Sequence, residues 1–100
     1  MAIQPSDPAY PFTSYGIALN APATSGVYAI CDASGNYLYF GESNDIQRRL
    51  SEHLNDPYDL PSSSGAALFA FEEWPTEALR VARQNVLIAM YSAPCNQRFG

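Results

Sequence analysis

The segment SGVYAICDASGNYLYFGESNDIQRRLSEHL, residues 25–54, gathers most of the groups in this chain that could handle a phosphate. It holds two tyrosine–glycine clusters, Gly26-Val27-Tyr28 and Tyr39-Phe40-Gly41, then the pair Arg48-Arg49 and the chain's only histidine, His53. A guanidinium offers phosphate oxygens a rigid fork of donors. An imidazole changes charge near neutral pH and can pass a proton. Taken singly, each residue has a plainer use. Tyrosines are common cross-strand partners, and a lone histidine is commonly a surface or partly buried group. Arg48 and Arg49 adjoin on a helix, so they point in different directions. Arg48 reads as a solvated surface group, whereas Arg49 lies four residues before His53 and shares its helical row.

A hairpin and a helix must position these groups. GVYAICD (26–32) and YLYF (37–40) are apolar and aromatic, with Ser34-Gly35-Asn36 between them, which is a hairpin pattern. A helix follows, with Asn44 as its cap and Gln47 reaching back in a capping-box arrangement. Ile46, Leu50 and Leu54 form its buried stripe, and Asn55-Asp56-Pro57 ends it. Residues 56–65 (DPYDLPSSSG) read as a loop, the best candidate for a substrate-facing insert. ALFAFEEW (67–74) is a third strand. Thr76 caps a second helix with Glu77 in its first turn, and Leu79, Ala82, Val86 and Met90 are its expected inward stripe, running on to Tyr91. Four of the eight prolines (Pro5, Pro8, Pro11 and Pro22) fall in residues 1–24. That part reads as an extended arm packing Tyr10, Phe12, Tyr15, Ile17 and Leu19 on the domain formed by residues 25–100. The expected class is α+β: a small three-stranded antiparallel sheet flanked by helices, in the order β-β-α-β-α.

One hundred residues, 47% hydrophobic, are enough for one core. No apolar run approaches the length of a membrane span, and the N-terminus lacks the pattern of a signal peptide. Cys31 and Cys95 have no metal-motif spacing and read as small buried residues, so a reduced, cytoplasmic protein is expected. Ten acids against five bases, all arginine, give net −5. Nucleic-acid binders usually carry a basic footprint. Only Arg48–Arg49 and Arg80/Arg83 could supply one locally, and the latter pair reads first as the exposed face of the second helix.

The ordered set resembles the GIY-YIG endonuclease family over about residues 25–97. GVY and YFG stand for its two signature triplets, Arg49 for its catalytic arginine, His53 for the histidine one turn later, and Asn96 in YSAPCN for its closing asparagine. The resemblance implies hydrolysis of a DNA phosphodiester assisted by one divalent metal, magnesium by expectation. It implies that Tyr28 or Tyr39 orients or deprotonates the attacking water while the other positions the phosphate. Arg49 would meet the developing charge, and His53 would add a donor or relay a proton. Gly41, Ser43 and Asn96 would border the substrate. Gly26 and Gly41 can instead serve strand geometry, and Asn96 can also cap the last helix.

One position departs from the pattern. The family's metal-binding glutamate precedes a Leu-Ile pair by three residues, and Leu87-Ile88 puts that place at Gln84, twelve before Asn96. An amide has nearly the shape of a carboxylate and none of its charge. Glu77 is seven residues away, roughly 10 Å along a helix, and cannot replace it. Glu42, Glu72 and Glu73 could approach, though no spacing requires it. Gln84 fits an engineered replacement, a natural member that lost catalysis and kept binding, or a shifted register. Two functions therefore stand side by side: a nuclease domain inactive or impaired by Gln84, and a catalytically dead module binding nucleic acid or a protein partner through its aromatic arm. A third keeps the fold and drops nucleic acid altogether. The acidic balance argues against tight non-specific DNA binding, and no membrane is involved.

Overall fold

The computed structural model describes residue 3 and residues 9–99. The strands are β1 (Tyr10–Pro11), β2 (Gly26–Cys31), β3 (Tyr37–Ser43) and β4 (Leu68–Glu73). The helices are α1 (Ser14–Asn20), α2 (Ile46–Asn55), α3 (Leu60–Ser63), α4 (Glu77–Met90) and α5 (Pro94–Phe99). All pairings are antiparallel, in the spatial order β1-β4-β2-β3. The sheet thus has four strands, not the expected three. The extra one comes from the arm, where Tyr10 pairs with Phe69 and Pro11 with Leu68. Proline sits there without loss because the strand is at the sheet edge. Arm residues 1, 2 and 4–8 lie outside the described residues.

Every residue of β2 is buried, which explains its central place. An apolar run of this length, covered on both faces, cannot sit at a wet edge. The hairpin from β2 to β3 turns through Gly35, whose φ of 87° favours glycine. Asp32 braces the turn by accepting from the Ser34 and Asn36 amides.

Side chains alternate across the sheet and build two cores. On one face Tyr28, Ile30 and Phe69 meet Phe12, Ile17, Ala21, Ile46 and Leu50 from α1, α2 and their flanks. On the other, Val27, Ala29, Cys31, Phe40 and Ala70 meet Ile3, Leu87 and Ala93. Cys31 and Cys95 are free and buried, and burial pushes the Cys31 thiol up to about 11.

Three local expectations change. The arm is not extended throughout: Thr13 caps α1 by accepting from the Gly16 amide, and α1 buries Ile17 but leaves Tyr15 and Leu19 exposed. Asp45, not Asn44, caps α2. Asn44 accepts from the Arg48 guanidinium instead, and Gln47 donates to the Ala21 carbonyl rather than completing a capping box. The third concerns α4. Thr76 caps it as expected, but Leu79, Val86 and Met90 are 45%, 45% and 60% exposed, while Leu87 is buried.

The polar face of α4 turns to the sheet because two carboxylates require it. Arg83 donates through Nε and Nη2 to Glu72 of β4, which is 4% exposed, and Arg80 pairs with Glu42 of β3. Leaving a buried carboxylate unpaired costs about 3–5 kcal/mol. Half-exposing a leucine or valine forgoes only about 1 kcal/mol each. The ion pairs win, so Arg80 and Arg83 are not the exposed face.

Candidate active site

β2 and β3 bring the two tyrosines side by side on the α2 face, with ring centroids 6.2 Å apart. Tyr28 is opposite Gly41 in the ladder. A Cβ on Gly41 would lie 2.2 Å from Tyr28 Oη and 2.3 Å from Cζ. The glycine of YFG therefore makes room for the tyrosine of GVY to lie across the neighbouring strand. Gly26 is needed for another contact, since a Cβ there would lie 2.1 Å from the Glu72 carbonyl oxygen.

α2 adds the other two groups. His53 is buried, with its ring edge-on to both Tyr28 and Tyr39 at 5.6 and 5.4 Å. Its Nε2 lies 2.8 Å from Tyr28 Oη, and its Nδ1 lies 2.7 Å from Asp59 Oδ1. A carboxylate only accepts, so Nδ1 carries the hydrogen and donates to Asp59. Burial pushes His53 below the usual imidazole range, against the opposing pull of Asp59, and so favours the neutral ring. Its Nε2 is then bare and Tyr28 donates to it.

Burial holds the Tyr28 phenol well above its ordinary range. Tyr39 adds to the shift, and Arg49 works against it. Burial raises Tyr39 as well, again opposed by Arg49. Arg49 faces both phenols and pairs with Glu52 at 3.3 Å on the open side. Tyr39, Arg49, His53, Asp59 and Pro61 line a cleft of about 240 Å³.

The remaining candidates lie elsewhere. Asn96 sits at the free edge of β3, where its Oδ1 accepts from the Phe40 amide at 2.7 Å and its Nδ2 donates to the Phe40 carbonyl at 2.9 Å. One side chain thus replaces a missing strand partner. Gln84 Nε2 donates to the same carbonyl at 3.3 Å. Gln84 and Asn96 therefore meet at the free edge of β3, one residue from Tyr39 in sequence. Ser43 is buried and engages both the amide and carbonyl of Asp45, holding the turn into α2. Arg48 pairs with Glu52 on the exposed surface.

Asp59 is the site residue that the sequence did not reveal. The stretch 56–65, expected to be a loop, holds the short helix α3, which Asp59 caps by accepting from the Ser62 amide, with Pro61 in its first turn. The contact of Asp59 with His53 is tertiary and leaves no local signal.

Known proteins share this fold. The model of the GIY-YIG catalytic domain matches residues 24–78, a span that includes Tyr28, Tyr39, Arg49 and His53 and stops short of Gln84. The UvrABC system protein C of Treponema denticola is 39% identical over 44 residues. That match covers 44% of this chain and 7% of that protein, so the chain corresponds to a small part of the relative. The GIY-YIG N-terminal endonuclease domain of UvrC from Thermotoga maritima, bound to magnesium as its catalytic divalent cation, superposes with a TM-score of 0.66. The identity is 22%, and the match covers 79% of this chain and 90% of that one. An asparagine-to-alanine mutant of the same domain gives 0.67 at 22%, covering 79% and 89%. At that identity the likeness is one of fold.

A magnesium ion prefers hard carboxylate oxygens, and the side chains here do not fit one. Among the described residues no group of three or more His, Cys, Asp or Glu side chains could hold a metal ion. Glu42 and Glu72 are committed to Arg80 and Arg83, Glu73 accepts from the Thr24 hydroxyl, and Asp59 holds His53. At position 84 the chain presents a neutral amide.

Proposed function

The chain belongs to the GIY-YIG catalytic-domain family, and we propose that it is a DNA-directed phosphodiesterase domain with its phosphate-handling groups in place and its metal-holding acid replaced. The supporting observation is that Tyr39, Arg49 and His53 line one cleft, with the buried Tyr28 hydroxyl bonded to His53 directly behind it. In this reading Arg49 releases Glu52 and takes a non-bridging phosphate oxygen, because an exposed pair of that kind is worth only about 0–1 kcal/mol. Tyr28 accepts a proton from the attacking water as its own passes to His53 Nε2. Tyr39 stands beside the phosphate. No magnesium-assisted step is assigned to the chain as it stands, and its cleavage rate is accordingly low or nil. A cytoplasmic setting accords with two free buried thiols.

The test is Gln84→Glu. With magnesium it should cut DNA, and Arg49→Ala in that background should abolish the cutting. A variant that binds DNA and stays inert with magnesium present rejects the reading.

A binding module without catalysis is favoured by a separate observation. Each of the four arginines with described side chains, Arg48, Arg49, Arg80 and Arg83, pairs with a glutamate of this chain. Such a surface grips DNA weakly. DNA affinity that barely changes with salt would point to a protein partner, whereas phosphate binding falls steeply as salt rises.

A further inference from the structure

We propose that Asp59 is the positioning residue for His53, fixing the imidazole as the Nδ1–H tautomer so that its bare Nε2 can take the proton of Tyr28. The role rests on the phosphodiesterase reading above. The proton path balances: water gives a proton to Tyr28 Oη, the Tyr28 proton moves to His53 Nε2, and the resulting imidazolium keeps its Nδ1–H on Asp59. The same division of labour, with a carboxylate orienting an imidazole that receives a hydroxyl proton, operates in Ser-His-Asp triads.

Nothing else in the site sets this direction. Tyr28 can donate or accept, so it accommodates either tautomer. Arg49 only donates, and it disfavours a charged ring. Asp59 is the acceptor at Nδ1, and it is well sheltered: the side chains of His53 and Asp59 are 3% and 12% exposed. Its second oxygen is held too. Asp59 Oδ2 accepts from the Ser62 amide at 3.2 Å, and the Ser62 hydroxyl donates to the His53 carbonyl at 2.7 Å. The carboxylate is thus clamped between α2 and the first turn of α3.

Asp59→Asn tests this with little disturbance, since asparagine is an equally good helix cap. The Ser62 amide will keep the asparagine oxygen at the Oδ2 place, leaving the NH2 to face His53 Nδ1. That donor should force the Nε2–H tautomer. The chain has one histidine, so its imidazole nitrogen signals in NMR need no assignment strategy. The expected spectrum shows protonated Nδ1 and bare Nε2 in the unaltered chain, reversed in Asp59→Asn. The imidazole titration should also move to lower pH, because the acid that favours the charged ring is gone. The other groups facing the ring, Tyr28 and Tyr39 from the sheet and Arg49 and Glu52 from α2, are unchanged.

An Nε2–H ring in the unaltered chain, or the same tautomer in both proteins, overturns the proposal. In the Gln84→Glu background, Asp59→Asn should lower kcat at least about a hundredfold with KM little changed; an unchanged kcat also overturns it. Failure of Gln84→Glu to cut at all would reject the phosphodiesterase reading, while the tautomer measurement still decides what Asp59 does to His53.

Discussion

The two faces of the sheet use their charged groups in opposite ways. On the α2 face Arg49 is paired loosely with Glu52 at a cleft mouth, beside the site tyrosines and a buried histidine. On the α4 face Arg83 is locked to Glu72, which also accepts from Trp74 Nε1 at 2.7 Å and from the Ile3 amide. One face keeps a cation in a loose, exposed pair. The other consumes its cations in holding a helix on the sheet. Position 84 is carried by α4, but its amide reaches the free edge of β3 next to Tyr39 and donates to the Phe40 carbonyl.

The contrast predicts a ranking of substitutions. Arg83→Ala should be the most damaging, at about 3–5 kcal/mol by chemical denaturation, because Glu72 is left charged and buried. A loss below about 1 kcal/mol would mean that the pair is not what orients α4. Its pH dependence has a definite sign. Burial alone would raise the Glu72 carboxyl, but bonds from Arg83, the Ile3 amide and Trp74 outweigh it, and the group sits below its ordinary range. Its contribution is therefore full above about pH 4.3, the unfolded value, and is lost as pH falls through the folded value. The stability gap between the unaltered chain and Glu72→Gln should close in acid.

Gly41→Ala comes next, at about 1–3 kcal/mol, since the new methyl group overlaps the Tyr28 ring in a filled core. It should also part Tyr28 from His53, which the imidazole nitrogen spectrum would register. Tyr28→Phe should cost about 1–2 kcal/mol by leaving the buried Nε2 without its donor. Arg49→Ala should leave stability within about 0.5 kcal/mol. Even so, it should weaken DNA binding and reduce the salt slope by about one phosphate contact. A large stability loss from Arg49→Ala would place it with the structural arginines of α4 and erase the difference between the faces.

The α2 face was legible because its signals are local. Turn residues mark the hairpin, Ile46 and Leu50 mark the inner stripe, and the four-residue step from Arg49 to His53 fixes a shared row. The α4 face misled for the opposite reason. Its apolar periodicity through Leu79, Val86 and Met90 is real, yet the helix is oriented by carboxylates that lie on two strands. No helical window contains Glu42 or Glu72. Tyr10–Pro11 escaped notice because two residues carry no strand period. Asp59 did so because a loop acid has meaning only once it meets His53. Asn96 was visible as a motif residue, but its pairing with Phe40 depends on β3 being the edge strand, which only the strand order reveals.

The proposed function turns on position 84, where an acid is expected to make the site hold a metal. Magnesium titration by calorimetry, on the unaltered chain and on Gln84→Glu at the same pH and salt, addresses it without any substrate. The unaltered chain should give no saturable heat, and the variant should bind one ion. Equal binding by both proteins, or by neither, would contradict it.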